Sequence, residues 1–430
     1  MPLLFGSVAD DFTGASDLAD TLVASGLSTV LLIGLPDGGK LPGEAADAEA
    51  VVFALKTRSI QASEAVRQSL AAARSLRSAG CQHLYFKYCS TFDSTDAGNI
   101  GPVADALLDE MEDDFTIFCP AFPKNGRKIF NGYLFVGPVL LSESGMQNHP
   151  LTPMTDPSLV RVLQGQTKHN VGLIGFDAVN RGALAIRAEM QKLRCQGVRY
   201  AIVDAVDEDD LAAIGAAALD EGLVFTTGGS GLGGGLALSL RNPAESGTKR
   251  AAMRFPKVQG PAAVIAGSCS RATLGQIEHF VKADKPFFRV EIGSLLAGKE
   301  RVVAQALAWA KPRLGSEPLL IAASESPTAV AQHQQAHGRE QVGHLIESAL
   351  AQIAKGLVRA GVRRLILAGG ETSSAAVERL GVRALRIGPT IDPGVPWTFS
   401  LGKEPLALAL KSGNFGAPDF FISAFNKLPD

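Results

Sequence analysis

The sequence has little of what marks membrane, secreted or nucleic-acid-binding proteins. In its 430 residues no apolar run approaches the length of a membrane span. The start of the chain lacks the basic and apolar segments of a secretory signal. The 41 basic residues are offset by 43 acidic ones, and a net charge of -2 argues against a broad basic surface for nucleic acid. We therefore expect a cytoplasmic protein whose partners are small molecules, without a nucleic-acid or membrane partner.

Residues for metal or nucleophilic chemistry are also scarce. The five cysteines are scattered, odd in number and without a Cys-x-x-Cys pair, which argues against a disulfide framework or a zinc site. His333 and His337 have helical spacing for two metal ligands, but no Glu separates them and Gly338 follows. We interpret that segment as a solvated loop or helix end. The sequence contains neither a Ser/His/Asp arrangement nor the Walker A lysine motif.

What the chain does show is an alternation of strand and helix patterns. It begins with a predicted strand over Leu3–Ala9 and a predicted helix over Gly14–Ser25. This rhythm predicts an α/β fold with mostly parallel sheets flanked by helices. Because 430 residues exceed one ordinary core, we expect two α/β domains, 1–245 and 261–430, with a cleft between them and a polar linker over 246–260.

Two segments interrupt the alternation. Pro120–Pro157 is polar and rich in glycine and proline, which predicts a long irregular loop or lid. Gly228–Gly235 contains Gly229-x-Gly231-x-x-Gly234, formally a dinucleotide fingerprint. The match is weak because the fingerprint belongs to a first strand–helix turn, with an acid ending the next strand. A phosphate-binding turn and a tight turn without a ligand both stay open for this stretch.

Polar side chains follow several predicted strands of the N-terminal domain. They are Asp10, Asp11, Arg58, Lys87, Ser90, Thr91 and Asp93. Because the carboxyl ends of parallel strands share one edge of a sheet, we expect these residues to converge in a crevice. Basic side chains there would hold a carboxylate, and acids and hydroxyls would hold sugar-like hydroxyl groups. A simpler interpretation, in which one Asp of the adjacent pair caps the next helix and the other faces water, stays open.

Turns of small residues follow predicted strands of the C-terminal domain. They are Gly267–Ser270, Gly369–Ser374 and Ser412–Gly416. The backbone N–H groups of such turns, especially at the start of a helix, bind phosphate oxygens. We interpret these turns as the walls of a nucleotide site.

Several motifs together resemble the four-carbon acid sugar kinase family. They are Ala-Asp-Asp-Phe-Thr-Gly-Ala over Ala9–Ala15, Lys87–Thr95 followed by Gly98–Gly101, and Gly369–Ser373. The Lys-Tyr-Cys-Ser-Thr-Phe-Asp-Ser form, with Leu141–Met146 and Pro150–Met154, resembles the 3-oxo-tetronate kinase branch. The threonate and erythronate kinase branch has Lys-Lys-x-Asp-Ser-Thr-Leu-Arg-Gly-Asn instead, and this chain lacks that arginine. The resemblance covers essentially the whole chain, and only Gly231–Gly235 is denser in glycine than the family pattern.

The resemblance implies an N-terminal acid-sugar domain, a C-terminal ATP domain and phosphorylation of the C4 hydroxyl of a 3-oxo-tetronate. Mg²⁺ would accompany the ATP. The implied catalytic residues are Asp10 and Asp11, one of them acting as the base. The implied acid-sugar ligands are Arg58, Lys87, Ser90 and Thr91, and the implied ATP ligands are Ser268, Gly370, Glu371, Thr372, Ser373 and Gly413.

Other functions stay open at this stage. A threonate or erythronate 4-kinase of the same family is the nearest alternative. A nicotinamide-dependent sugar-acid oxidoreductase would use the glycine fingerprint, although the expected acid downstream is missing. A third alternative is a non-catalytic sugar-acid sensor, but the sequence has no DNA-binding motif to support it. Whether the chain forms a homo-oligomer is also open.

Overall fold

A computed structural model describes residues 2–148, 152–241, 255–315, 317–323, 338–402 and 404–428. The chain divides into two compact units, Met1–Met253 and Arg254–Asp430. The boundary falls inside the predicted linker, 246–260, of which 246–254 lies outside the described residues. His333 and His337, and Pro150 and Leu151 of the family motif, also lie outside them.

The N-terminal unit is built on a parallel sheet. Its described strands are β1 (Phe5–Ala9), β2 (Thr29–Ile33), β3 (Ala50–Ala54), β4 (His83–Lys87), β5 (Thr116–Cys119), β6 (Arg127–Phe130), β7 (Tyr133–Val136), β8 (Val139–Leu140), β9 (Val171–Ile174), β10 (Tyr200–Val203) and β11 (Phe225–Gly228). Eight of them lie in the order β2-β3-β1-β4-β11-β5-β10-β9, and every neighbouring pair is parallel. Every residue of β1, β3 and β4 is buried, as expected for strands covered on both faces.

Helices connect these strands. The described ones are α1 (Phe12–Ala24), α2 (Ala62–Ser78), α3 (Ile100–Glu110), α4 (Leu159–Gln164), α5 (Phe176–Val179), α6 (Ala183–Cys195), α7 (Glu208–Asp220) and α8 (Ser230–Leu240). The helix α2 shows why they pack on the sheet, because its buried residues Ala65, Ala72 and Leu76 recur at helical spacing. The predicted α/β alternation is confirmed.

The prediction of an irregular loop over Pro120–Pro157 is wrong in part. The strands β6, β7 and β8 lie in this segment and form a small antiparallel sheet. Asn131 and Gly132 join β6 to β7, and both have positive φ (50° and 75°), as a tight hairpin turn requires. The Asn-Gly pair, between the buried residues Ile129 and Leu134, is the sequence signal that identifies this hairpin.

The prediction of a turn over Gly228–Gly235 is also wrong, because residues from Ser230 onward belong to the helix α8. Its glycines serve close packing. A Cβ atom on Gly235 would lie 2.2 Å from the carbonyl oxygen of Leu211 in α7, and one on Gly215 would lie 2.6 Å from the backbone of Gly235. Only glycine permits so close an approach of two helix backbones, so this stretch is a packing seam and not a dinucleotide loop.

The C-terminal unit has a mixed sheet. Its described strands are β12 (Ala262–Ala266), β13 (Phe287–Arg289), β14 (Leu319–Ala322), β15 (Arg364–Ala368), β16 (Ala384–Asp392), β17 (Val395–Ser400) and β18 (Ala407–Lys411). Their order is β13-β14-β12-β15-β18-β17-β16. The strands from β13 to β18 in this order are parallel, whereas β17 is antiparallel to both of its neighbours.

Helices flank this sheet and complete its core. The described ones are α9 (Arg271–Lys282), α10 (Ile292–Ala310, kinked at Gly298), α11 (Arg339–Arg359), α12 (Gly370–Leu380) and α13 (Phe420–Ser423). Trp397 of β17 lies fully buried in the core, and its Nε1 donates to the carbonyl of Ala424 (3.0 Å). No described helix of either unit has the length and apolar character needed to cross a membrane.

We expect Gly235→Ala to destabilise the protein by about 1–3 kcal/mol, because the new methyl group would push α8 away from α7. Urea denaturation of the full chain measures this change. The matched control is Gly175→Ala, at a position with φ of -75° and open space around a Cβ atom, where we expect a change below about 0.5 kcal/mol. Equal stability of the two variants would show that the seam does not need glycine.

Candidate functional site

Three strand ends meet at Asp10. Its N–H donates to the carbonyl of Lys87 at the end of β4 (3.0 Å). Its carbonyl accepts the N–H groups of Thr57 (2.9 Å) and Arg58 (3.2 Å), which follow β3. Because β3 and β4 flank β1 in the sheet, backbone hydrogen bonds join the carboxyl ends of all three strands. This edge is where an open α/β sheet binds its ligands.

Arg58 connects the two adjacent acids. Its Nε donates to Oδ2 of Asp10 (2.9 Å), and its Nη2 donates to Oδ1 of Asp10 (2.8 Å) and Oδ1 of Asp11 (2.7 Å). Its Nη1 lies 3.8 Å from Oδ2 of Asp93. The guanidinium therefore faces carboxylates of its own chain. Its Nε and Nη2 are thus engaged with Asp10 and Asp11, and its contact with a substrate carboxylate stays a prediction.

Asp11 is the cap of the helix α1. Its Oδ1 accepts the N–H of Gly14 (3.1 Å), and its Oδ2 accepts the hydroxyl of Thr13 (2.6 Å). This cap starts α1 at Phe12, earlier than the predicted start at Gly14. Asp10 does not face water, since only 6% of its side chain is exposed. The cap interpretation thus holds for one acid of the pair and fails for the other.

The environments of the two acids push their pKa values in opposite directions. Burial raises the pKa of Asp10 above its usual value, and the nearby Arg58 offsets only part of this effect. Burial also acts on Asp11, but Arg58, Lys87 and the hydrogen bond from Thr13 outweigh it and hold the pKa of Asp11 below its usual value. Opposite shifts of this kind are what a proton acceptor beside a group that stays ionised would require.

Lys87 brings a buried positive charge to the same edge. Its side chain ends next to the start of α1, where a Cβ atom on Gly14 would lie 2.9 Å from its Nζ and 2.3 Å from Oδ1 of Asp11. The ammonium donates to the carbonyl of Tyr88 (2.9 Å). Gly14 is therefore confined between an ammonium and a carboxylate.

The turn after β4 carries the predicted hydroxyl groups. Thr91 is buried, and its Oγ1 donates to Oδ1 of Asp93 (2.6 Å), the acid that faces Arg58. Ser90 is half-buried in the same turn. The structure thus assembles all six predicted acid-sugar and catalytic residues on one edge of the sheet. Asn99 also holds this edge, because its Nδ2 donates to the carbonyls of Thr57 (2.6 Å) and Ile60 (2.8 Å).

In the C-terminal unit the small-residue turns touch one another. A Cβ atom on Gly413 would lie 2.3 Å from Oγ of Ser268, and one on Gly369 would lie 3.3 Å from the N of Ser268. A Cβ atom on Gly267 would lie 2.3 Å from Oγ1 of Thr372. Because β12, β15 and β18 are neighbours, the turns that follow them form one surface of small side chains and exposed backbone.

The helix α12 begins on this surface at Gly370. The residue before it, Gly369, has φ of +124° and no side chain, so no side-chain cap covers the first N–H groups of the helix. These free N–H groups and the helix dipole suit an anion. The hydroxyl of Ser373 is turned inward and donates to the carbonyl of Leu367 (2.9 Å), so it braces the turn from beneath.

Lys411, which the sequence reading missed, holds the third turn in place. It is the last residue of β18 and is fully buried. Its Nζ donates to the carbonyls of Ser412 (2.9 Å), Gly413 (3.0 Å) and Phe415 (2.9 Å). Burial lowers the pKa of Lys411 to about 8. In the sequence, Lys411 is distinguished only by its position at the end of an apolar strand.

Comparison with known proteins covers both units. Residues 5–236 match the family described as sugar-binding N-terminal domain, and residues 263–421 match the family described as nucleotide-binding C-terminal domain. The 3-oxo-tetronate kinase of Cupriavidus necator is 54% identical to this chain, over 99% of this chain and 97% of the relative. The 3-oxo-tetronate kinase of Burkholderia multivorans is also 54% identical, over 99% of this chain and 97% of the relative.

Solved structures share the fold. A protein of Salmonella typhimurium LT2, described as a tRNA synthase, matches with a TM-score of 0.89 and 41% identity, over 99% of this chain and 100% of that one. A Haemophilus influenzae protein of a family described only as a domain of unknown function matches with a TM-score of 0.82 and 45% identity, over 98% and 99% of the two chains. The architecture is therefore shared along the full length of both.

We expect the affinity for ADP to fall as the pH rises from 7 to 9. Above the lowered pKa of about 8, the Lys411 amine keeps fewer N–H donors than the turn has carbonyl acceptors, so the turn that carries Gly413 loosens. Calorimetry should show the Kd for ADP rising about 5-fold, the equivalent of one weakened hydrogen bond.

The variant Lys411→Arg stays charged over this range, and its Kd should stay level. The exposed Lys282→Arg is the matched control and should keep the rise of the wild-type protein. An ADP affinity that is level in the wild-type protein, or that falls equally in Lys411→Arg, would contradict this role.

Proposed function

Because the chain belongs to the four-carbon acid sugar kinase family, we propose that it transfers the γ-phosphoryl group of ATP to the C4 hydroxyl of a 3-oxo-tetronate. The observation that carries this proposal is the 54% identity, over 99% of the chain, to relatives named 3-oxo-tetronate kinase. The product is the 4-phosphate, and ADP leaves. The assembled N-terminal edge and the nucleotide-type turns of the C-terminal unit support the same reaction.

The alternatives lose their support. The oxidoreductase reading depended on the glycine fingerprint, which lies in the packed helix α8. The chain lacks the arginine of the threonate and erythronate kinase branch, and the names of its relatives also disfavour that alternative. A non-catalytic sensor would not need two acids whose pKa values diverge at a strand end.

Phosphoryl transfer requires positioning, charge neutralisation and a base close to the acceptor hydroxyl. We assign the base to Asp10, since its raised pKa favours acceptance of the C4 hydroxyl proton. Asp11 stays ionised and fixed at the start of α1, where it orients Arg58. Arg58 in turn holds the carboxylate of Asp10 through two N–H groups, which fixes the direction from which the acceptor must approach.

The remaining predicted ligands fit a polar, anionic substrate. Lys87 supplies a buried positive charge, and Ser90 and Thr91 line the same edge with hydroxyl groups. Thr91 already donates its proton to Asp93 and lies 2.9 Å from Sγ of Cys89, so one lone pair of its oxygen is left to accept a hydrogen bond from a substrate hydroxyl.

The C-terminal turns fit the phosphates of ATP. A side chain on Gly413 would collide with the hydroxyl of Ser268, and the φ of +124° at Gly369 disfavours any side chain, so both positions leave the backbone open. The first turn of α12 carries the other proposed contacts, Gly370, Glu371 and Thr372, whereas both donors of the predicted ligand Ser373 are engaged with Leu367 and Gly369. The described residues contain no group of three or more side chains suited to a metal ion, so Mg²⁺ would be held chiefly by phosphate oxygens. When bound there it would neutralise charge on the phosphates.

We expect Asp10→Asn to lower kcat by about 10²–10⁴-fold, because it removes the proton acceptor and keeps the shape of the side chain. Asp11→Asn should lower kcat less and reduce thermal stability, because it removes the negative charge that faces Arg58 and Lys87. A coupled assay of ADP release measures both rates, and calorimetry with ADP checks that the nucleotide site is intact. Near-full turnover by Asp10→Asn would refute the assignment of the base.

A substrate screen tests the proposed reaction itself. ADP release should be fastest with a 3-oxo-tetronate and much slower with threonate or erythronate. Faster turnover of threonate or erythronate would establish the alternative kinase, and stabilisation by NAD without any ADP release would overturn the kinase reading. Light scattering on the same sample determines whether the protein is a homo-oligomer, and cytoplasmic location likewise stays a prediction.

A further inference from the structure

Arg127 points inward from the small hairpin of the N-terminal unit. In β6 the side chains of Lys128 and Phe130 are exposed and Ile129 is fully buried. Side chains of a strand alternate between its two faces, so Arg127 shares the buried face with Ile129. Two backbone hydrogen bonds with Phe122 (2.8 and 3.1 Å) join Arg127 to the loop that follows β5. These bonds place Arg127 beside the carboxyl end of β5, at the edge of the sheet that carries the acid pair.

Part of this guanidinium lacks a partner. Its Nη1 donates to the carbonyl of Asn125, whereas its Nε is buried and has no hydrogen-bond partner among the residues that the structure describes. A buried N–H group without an acceptor is unfavourable, so native proteins usually supply one from the chain or from a ligand.

The surroundings of Arg127 form a mixed polar wall. It lies within electrostatic reach of Asp17 on α1, as does Lys87. Ser230, buried at the start of α8, donates its hydroxyl to Oδ2 of Asp17 (2.5 Å). The strands β4, β11 and β5 are neighbours, and the residues at their carboxyl ends or just beyond include Lys87, Ser230 and Arg127. Two cations, Lys87 and Arg127, and the Asp17 carboxylate with its bound Ser230 hydroxyl thus lie at the same edge as Asp10 and Asp11.

A four-carbon sugar acid presents a carboxylate at one end and the reacting hydroxyl at the other. Arg58 is committed to Asp10 and Asp11, so the carboxylate needs another cation. We propose that Arg127, together with Lys87, binds the C1 carboxylate of the substrate and makes the enzyme select acids over neutral four-carbon sugars. This inference rests on the proposed function, and it assigns Arg127 a specificity role. The Nε–H group, which has no acceptor among the described residues, offers a charged donor to a carboxylate oxygen.

Erythrulose is the matched probe, because it carries a CH₂OH group where 3-oxo-tetronate carries its carboxylate. We expect Arg127→Met to lower kcat/KM for 3-oxo-tetronate by about 10- to 100-fold, mainly through KM, the equivalent of a lost charged hydrogen bond. Its kcat/KM for erythrulose should change by less than about 3-fold, since no carboxylate is present to lose a contact. Arg127→Lys should recover part of the loss with the acid.

Lys128→Met, on the exposed face of the same strand, is the control and should match the wild-type protein with both substrates. Calorimetric Kd values for the two compounds give the same comparison where erythrulose turnover is too slow to measure. Equal losses with both compounds, or no loss with either, would overturn the role of Arg127. Absence of ADP release from the wild-type protein with 3-oxo-tetronate would instead refute the proposed function.

Discussion

The bidentate ion pair between Arg58 and Asp10, extended to Asp11, is the interaction on which the N-terminal site depends. It joins a residue that follows β3 to the end of β1, and it sets the direction of both carboxylates. A buried pair of this kind adds little net stability, but loss of one partner costs about 3–5 kcal/mol because an uncompensated charge stays behind. The three residues therefore act as one unit. The pKa values of the two acids diverge because burial dominates at Asp10, whereas Lys87, Thr13 and Gly14 add to the effect of Arg58 at Asp11.

Much of this arrangement could be predicted from the sequence, for a simple geometric reason. Parallel strands end at one edge of their sheet, so polar residues that directly follow apolar runs must converge, as Asp10, Arg58 and Lys87 do. The same rule brought the turns of Ser268, Gly369 and Gly413 together. The rule does not predict which of these side chains bind one another. Sequence position places Arg58 at the edge, but only the folded geometry shows that its donors face acids of its own chain.

The features that sequence reading missed depend on contacts between distant segments. Glycine-rich α8 resembles a turn because glycine is a poor helix former, and the closeness of α7 and α1 in the fold explains its composition. The antiparallel strand β17 alternates Val395, Trp397 and Phe399 with Pro396, Thr398 and Ser400, but a proline argues against a strand interior, and the pairing of β17 with β18 is visible only in the fold. Lys411 and Arg127 are single basic residues in unremarkable positions, and their partners become visible only when the chain is folded.

The confinement of Gly14 limits how this protein can diverge. The smallest side chain would collide with the carboxylate of Asp11 and the ammonium of Lys87 at once. Neither neighbour can retreat by itself, because the carboxylate is tied to Thr13 and Arg58 and the ammonium is buried. A change at Gly14 would thus require coordinated replacement of several charged groups and could not occur as a single substitution. Descendants of this chain can alter their substrate through the surrounding loops while the start of α1 stays as it is.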